Sequence, residues 1–405
     1  MRHTLNYTAI ALGLATSTFL ANTAYALDGH DLLAKINAFT HPQGLEVAAD
    51  SIDVDGDDVH LKSIKISFPD NADTVFNIGD LTLLDVQKAE DGGYDIGKVD
   101  VPGFEVNEPD VRFTSQGMTF EKCRISANPR ALQLSDLSYC ELMAAGGVRL
   151  FDGDIERLSI QGARFSNTPN SVGTGIDFGA KIDGLLLNFL NTSKESSAAD
   201  TTWKAVGVDE ARGSFSAKGT WTLADGRMTF AENVLTVDDI GSLSVSGEIS
   251  GYTLQAMYEL QDATKDAETQ HADNPQLQYQ ALTAAMMELA QKLSLHNASI
   301  RFEDDGVTAR ALAYFATQQN STPEQFIAGL NLIAARKFAE LAPLLGEELA
   351  SQLTSSIKDY LDDPRSLTVA ATPSQGVPFG TVISTAMAAP ETLSKALAVQ
   401  VTAND

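Results

Sequence analysis

Two cysteines, Cys123 and Cys140, are the residues whose type and spacing point most directly to a chemical reaction. Both lie in strand-like sequence, and the turn candidate Asn128-Pro129-Arg130 separates them. Thiols on neighbouring strands can be oxidised to a disulfide, and an even cysteine count favours that reaction in an exported protein. We therefore predict a disulfide between Cys123 and Cys140, with a pair of free buried thiols as the alternative. A metal site on the two thiolates is not expected, because no third ligand lies near them in the sequence.

A run of carboxylates at Asp53, Asp55, Asp57 and Asp58 has the alternate spacing found in calcium-binding loops. Counted from Asp53, the sixth position of an EF-hand loop holds aspartate instead of glycine, and the twelfth holds Ile64 instead of glutamate. The run therefore predicts a hairpin turn at Asp55-Gly56, since this dipeptide suits the positive φ angles of a tight turn.

Other catalytic patterns are incomplete. The segment Gly173 to Gly179 has the glycines of a dinucleotide-binding loop, but its last glycine is one residue late and no helix is predicted to follow. The sequence has no Gly-x-Ser-x-Gly motif. We predict no catalytic, cofactor-binding or metal-binding residue and no enzymatic activity, while a Ser/His/Asp triad assembled only by folding stays open. The histidines after the first 26 residues are scattered: His30, His41, His60, His271 and His296.

Residues 1–26 have the pattern of a secretory signal peptide. Arg2 and His3 precede an apolar run from Ala9 to Leu20, and Ala24-Tyr25-Ala26 supplies small residues at the two positions that signal peptidase reads. This pattern predicts export to the periplasm and a mature chain that begins near Leu27. No later apolar stretch reaches the roughly 18 to 20 residues of a membrane-spanning helix, so no integral span is expected in the mature chain.

The composition is strongly acidic. The 405 residues include 28 Lys and Arg against 54 Asp and Glu, which gives a formal net charge of −26. Such a surface repels phosphate backbones and anionic lipid headgroups, so neither nucleic acid nor electrostatic membrane docking is expected. Hydrophobic residues make up 43% of the chain, which is enough for a large buried core.

The period of the apolar residues changes near residue 260. A short amphipathic helix is predicted from His30 to Thr40. From Leu45 to about Leu260, apolar residues alternate in strand-length pieces separated by turn signals such as Asp152-Gly153. After Leu260 they recur at helical spacing. The predicted fold class is α+β, a long curved antiparallel β-meander followed by a helical C-terminal subdomain. The predicted domains are a β-rich domain over residues 27–260 and a mainly helical subdomain with a few strands over residues 261–405.

Several elements of the C-terminal third are predicted individually. Asp262 to Asn274 is expected to begin as loop, because it is polar and acidic. One segment before this third is also predicted: Asn191 to Thr202 is expected to form an exposed hairpin loop, with a domain linker as the alternative. Helices are predicted over Gln276–Leu293, Val307–Gln319, Thr322–Leu341 and, after Pro343, Leu344–Leu361. The stripe Leu277, Met286, Met287, Leu289 and Leu293 fits either a pliable apolar groove or ordinary core.

Three segments share an Ile-Gly-x-Φ-x-Φ unit, where Φ is apolar: Ile78–Leu83, Ile96–Val101 and Ile240–Val245. With the leader and the helical C-terminal portion, these units resemble the AsmA-like group of periplasmic β-rich lipid-handling proteins. The segments Ala298–Phe302 and Asp363–Val369 are similar to uncharacterised alphaproteobacterial exported proteins. The resemblance implies a role in handling lipid in the envelope. AsmA-like proteins usually keep an N-terminal membrane anchor, whereas this leader is predicted to be cleaved.

Two functions follow as hypotheses. The first is a non-catalytic periplasmic protein whose sheet presents an apolar groove to lipid or another hydrophobic ligand. The second is a structural or interaction scaffold that binds another envelope protein, and an exported hydrolase is a distant third. An apolar sheet face that the helices leave partly uncovered favours the groove, whereas faces that are covered or polar favour the scaffold.

Overall fold

The computed structural model describes residues 27–41, 44–68, 71–107, 111–128, 130, 132–188, 204, 206–208, 210–271 and 274–405. The predicted signal peptide at 1–26 and the predicted loop at 191–202 lie outside these residues. The chain divides into two compact units, one ending at Gly184 and the other beginning at Leu185. In the second unit, the strands after residue 210 pair with one another and share the unit with the helices.

The described part of the N-terminal unit consists of one α-helix, ten strands and most of an eleventh, β11, which continues past Gly184. Strands β3 to β6 pair antiparallel in sequence order, and β6 then pairs with β7 through its second half and with β8 through its first half. The elements are α1 Gly29–Thr40, β1 Glu46–Ala48, β2 Ser51–Asp55, β3 Asp58–Phe68, β4 Asn71–Lys88, β5 Tyr94–Asn107, β6 Val111–Ile125, β7 Tyr139–Ala145, β8 Val148–Asp152, β9 Ile155–Ile160, β10 Gly162–Pro169 and β11 Gly175–Asn188.

Helix α1 packs on the sheet of the N-terminal unit through its apolar stripe. Leu32 and Ile36 are buried, as the helical spacing predicts. Tyr94 at the start of β5 is fully buried, and its hydroxyl donates to the carboxylate of Asp31 at 2.6 Å. Lys35 forms an ion pair with the same carboxylate. The first turn of α1 is therefore tied to the sheet by both apolar and charged contacts.

The C-terminal unit contains seven strands and seven helices among its described residues. Its strands β12 to β16 and β18 pair antiparallel in order, while β17 pairs with the beginning of β15. The elements are β12 Glu210–Thr222, β13 Arg227–Val237, β14 Gly241–Ser250, α2 Leu254–Gln270, α3 Pro275–Lys292, β15 Ser294–Asp304, α4 Val307–Gln318, α5 Pro323–Leu345, α6 Glu347–Asp362, β16 Ser366–Ala371, β17 Val377–Pro378, α7 Phe379–Ala388, α8 Leu393–Ala396 and β18 Val399–Ala403. None of these helices, nor α1, is long and apolar enough to cross a membrane.

This architecture confirms the predicted α+β class and the antiparallel meander with helices in the C-terminal region. The hairpin predicted at Asp55-Gly56 is also confirmed, since Asp55 pairs with Asp58 and Gly56 has a φ of 63°. One prediction was wrong, because helix α2 occupies residues expected to be strand and then loop. The Thr253 hydroxyl caps the Ala256 N–H, and Leu254 and Ala267 are buried, so packing outweighs the polar composition.

The break between α5 and α6 also differs from the prediction, which placed it at Pro343. Helix α5 continues through Pro343 to Leu345, and α6 begins at Glu347. A proline so near the end of a helix removes only one late hydrogen bond, whereas Gly346 has a φ of 86°, which favours glycine. The capping box predicted at Thr322 is present, with Gln325 as its second residue.

Side chains from two helices form hydrogen bonds with backbone N–H and carbonyl groups of two strands. The side-chain amide of Asn37 on α1 donates to the Val47 carbonyl of β1 and accepts from the Val47 N–H, both at 2.8 Å. In the C-terminal unit, Ser356 on α6 donates to the Val401 carbonyl of β18 at 2.8 Å, and Gln352 accepts from the Val401 N–H at 3.1 Å. At these positions the helix side chains take the place of a further strand.

Candidate functional site

The sheet of the C-terminal unit carries a continuous apolar surface, called the apolar face below. Strands β14, β15, β16 and β18 lie side by side, and residues opposite each other on paired strands point to the same face. The register therefore forms two neighbouring apolar rows. One row is Val245, Ile300, Val369 and Val401, and the other is Leu243, Phe302, Leu367 and Ala403.

In the first row, the residue next to helix α6 is buried and the other three are exposed. Val401 on β18 is 5% exposed, whereas Val369, Ile300 and Val245 are 42%, 52% and 41% exposed. In the second row, Leu243 is 40% exposed. Helix α6 packs along β18. It therefore covers one border of the apolar face and leaves open the part that β14, β15 and β16 carry.

The opposite face of the same strands is polar. Arg301 lies between Ser244 and Thr368 in the register, and its guanidinium donates to the Thr368 hydroxyl at 3.0 Å and to the Asp405 carboxylate at 2.6 Å. Hydrogen bonds from Thr402 and then Arg301 lower the pKa of Asp405 below its ordinary value. A sheet with one solvated polar face ordinarily packs its apolar face on a core, so the open part of the apolar face can accept an apolar ligand.

The apolar face is suited to binding by contact area, without directional polar groups. Neighbouring strands are about 4.8 Å apart, so β14, β15 and β16 span roughly 10 Å, which is about the width of two extended hydrocarbon chains. The alternation of Leu243 and Val245 is visible in the sequence. The extent of exposure was missed, because it depends on where a helix from residues 347–362 packs.

The two predicted disulfide residues face each other across β6 and β7. Cys123 pairs with Cys140 in the register, both side chains are buried, and both are free thiols in the structure. Burial, followed by the hydrogen bond with Cys140, raises the pKa of the Cys123 thiol above its ordinary value. A thiolate is the reactive form of cysteine, so the raised pKa makes Cys123 poorly suited to nucleophilic catalysis. The disulfide itself stays a prediction.

A buried carboxylate, Asp95 on β5, lies opposite Arg124 of β6 in the same sheet. Asp95 is 6% exposed and accepts from Arg124 at 3.4 Å, while Arg124 also pairs with Asp91 at 2.7 Å. Burial raises the pKa of Asp95 from 3.8 to about 6, against the opposing attraction of Arg124. The group is enclosed in the N-terminal unit and has a structural role.

Asp95 makes stability depend on pH. Between about pH 4 and pH 6 the native state binds a proton that the unfolded state has lost, so stability falls as pH rises through this window. Over this window, we expect the free energy of unfolding of the N-terminal unit to fall by about 2 kcal/mol more in the parent protein than in Asp95→Asn. Amide exchange of β5 and β6 at several pH values measures the difference. Asp100→Asn, at an exposed paired carboxylate, should behave as the parent, and equal pH profiles for Asp95→Asn and the parent would contradict the assignment.

One serine–histidine pair is assembled by folding. The Ser250 hydroxyl on β14 and Nε2 of His296 on β15 are 2.8 Å apart. A catalytic pair needs a third group that orients the base, and within the described residues no carboxylate is hydrogen-bonded to His296. The pair therefore acts as a cross-strand hydrogen bond, and the sequence separation of 46 residues gave no signal for it.

The remaining candidate motifs form a turn and part of a helix. Gly173 lies in the turn between β10 and β11, which matches the rejection of a dinucleotide loop. The stripe on α3 is divided, because Leu289 is buried whereas Leu277, Met286 and Met287 are exposed. Within the residues that the structure describes, no group of three or more His, Cys, Asp and Glu side chains is arranged to hold a metal ion.

A cleft of about 220 Å³ lies between α6, α8 and β18. Glu348 and Lys395 place both charge signs at its wall. Ligand sites for small molecules are usually about 300 Å³ or larger and mainly apolar. The apolar face is therefore the better candidate site.

Comparison with known proteins gives a match over the segment of the chain that carries the apolar face. A protein-family model described as "Uncharacterized protein" matches residues 234–404. This segment begins in β13 and includes all of strands β14 to β18, together with helices α2 to α8. No curated protein matches the chain. The chain is thus similar, over the segment that carries the apolar face, to a family without an assigned activity.

Proposed function

We propose that the protein is a non-catalytic periplasmic envelope protein that binds the acyl chains of lipids on its apolar face. The observation that carries the proposal is the open apolar row formed by Val245, Ile300 and Val369, each at least 41% exposed. Contiguous apolar surface on a protein in water marks an interaction site. The leader at residues 1–26 and the resemblance to AsmA-like lipid-handling proteins support the compartment and the ligand class.

An acyl chain fits the shape and the charge of this surface. A lipid has an apolar hydrocarbon end and a polar headgroup. The apolar face offers apolar side chains to the hydrocarbon end, and the polar groups of the sheet lie on its opposite face. The net charge of −26 disfavours close contact with anionic headgroups, so the headgroup is expected to remain in solvent. Helix α6 at β18 forms a wall along one side of the strip.

A displacement assay with dansyl-labelled undecanoic acid, with oleate as the competitor, tests the proposal. We expect saturable binding by the parent protein and an affinity at least tenfold weaker for Ile300→Asp, because a carboxylate would be desolvated against the acyl chain. Thr236→Asp is the matched control, since Thr236 is exposed on the polar face of the neighbouring strand β13. Its affinity should equal that of the parent.

The absence of saturable binding by the parent protein would reject acyl-chain binding. Equal loss in Ile300→Asp and Thr236→Asp would instead indicate general unfolding, which circular dichroism of both variants detects. The scaffold hypothesis then takes precedence. One observation favours it independently, namely the exposed apolar side chains on helix α5.

A further inference from the structure

Helix α5 has an exposed face that is apolar at both ends. Its 23 residues pack on α4 and α6 through one side. On the other side, Leu332 is 74% exposed, Ile333 is 59% exposed, and Leu341 and Leu344 are 41% and 50% exposed. Two pairs of apolar side chains exposed to this degree on one helix indicate a contact surface.

Charged residues lie between these apolar ends. Arg336 and Glu340 are spaced so that Leu332, Arg336, Glu340 and Leu344 form a single i, i+4 ridge. Arg336 and Lys337 both donate to Glu340, and all three side chains are exposed. The ridge therefore has the order apolar, positive, negative, apolar.

This order is self-complementary when one copy of the helix is turned around. In an antiparallel pair related by a twofold axis near Phe338, Leu332 lies opposite Leu344 of the second copy. Arg336 then lies opposite Glu340 of the second copy, and the twofold axis repeats both contacts. Gly329 has no atom within 4 Å of the position that a Cβ would occupy, so the approach is also sterically open at the end of the ridge.

We infer that the protein forms a twofold symmetric dimer through antiparallel packing of helix α5 with α5 of a second copy. We assign a second copy as the partner because an antiparallel copy of the ridge places opposite charges against each other. An anionic membrane surface is disfavoured, because the net charge of the chain is −26. The helix is about 34 Å long. A single helix pair lies at the small end of specific interfaces, below about 1,200 Å² in total, so the dissociation constant is expected in the micromolar range.

Sedimentation velocity of the full chain over the micromolar concentration range, combined with charge reversal, tests the dimer. Arg336→Glu places two glutamates opposite each other at each contact, and Glu340→Arg places two arginines there. Each variant alone is expected to dimerise at least tenfold more weakly than the parent. An equimolar mixture of the two variants should dimerise as well as the parent, because every contact across the twofold axis again joins opposite charges.

The mixture distinguishes contacts between two copies from the ion pair within one helix. In the mixture each chain still has like charges at positions 336 and 340, so recovery of the dimer can come only from contacts between chains. Lys358→Glu on α6 is the matched control, because it also disrupts an exposed i, i+4 pair, with Asp362, and should leave the dimer unchanged. A parent protein that is monomeric throughout the concentration series would overturn the inference. A mixture that stays monomeric while the parent dimerises would also overturn it, as would a monomeric parent that floats with phosphatidylcholine vesicles.

Discussion

Replacing Tyr94 by alanine is expected to lower the stability of the N-terminal unit by about 4 kcal/mol. Tyr94 is fully buried, and its ring lies beneath the ammonium groups of Lys35 and Lys88 at 5.5 and 5.7 Å from the centroid. The substitution leaves a cavity under α1 and removes the hydroxyl that donates to Asp31. Because α1 contacts the sheet through Tyr94, the backbone amides of α1 should be the first to lose their protection from hydrogen exchange.

Hydrogen exchange measured by mass spectrometry resolves this effect, because it reports on peptides of α1 separately from the C-terminal unit. Tyr94→Phe keeps the ring and removes only the hydrogen bond, so its cost should be about 1 kcal/mol. Tyr279→Ala is the matched control, because Tyr279 is 72% exposed. Unchanged exchange of the α1 amides in Tyr94→Ala would show that α1 does not depend on this residue.

The second large effect is expected from oxidation of Cys123 and Cys140. Their side chains are directly opposed and buried, so a bond between them closes a short loop between adjacent strands. For a loop of this size the chain-entropy model gives about 3 kcal/mol of stabilisation. We expect protein recovered from an oxidising compartment to hold the disulfide, and the Cys123→Ala/Cys140→Ala variant to lose this stabilisation.

Intact-mass measurement after alkylation without reductant tests the oxidation state. The parent should gain no label under denaturing conditions, and it should gain two labels after reduction, which serves as the control. Two labels before reduction would show that the residues are free thiols in the mature protein. Their role would then be that of buried core side chains, because both lie in the apolar core of the N-terminal unit.

The strands and most helices were predictable because their patterns are local. The alternation around Leu243 and Val245 identifies a strand, and the capping box at Thr322 identifies the start of α5. Helix α2 was missed because its acidic sequence resembles a loop, and only its packing shows which of its residues are buried.

The candidate site was predictable only in part, because it depends on pairing between distant segments. Ile300 lies between Val245 and Val369, in a register that joins residues far apart in the sequence. Their exposure further depends on α6 packing at β18, and nothing in the local pattern of either strand reports on that helix. The same holds for the ridge on α5, whose apolar spacing alone does not distinguish a buried face from an exposed one.

The helix side chains that bond Val47 and Val401 have a consequence for the order of synthesis. In both cases the bonding helix precedes its strand in the chain, since Asn37 comes before Val47, and Gln352 and Ser356 come before Val401. A chain that emerges from its N-terminus thus makes each protecting helix before the strand it protects. Unpaired strand edges on partly folded chains promote aggregation. Moving α6 to the C-terminal side of β18 by circular permutation should therefore increase aggregation during synthesis, although the finished contacts would be the same.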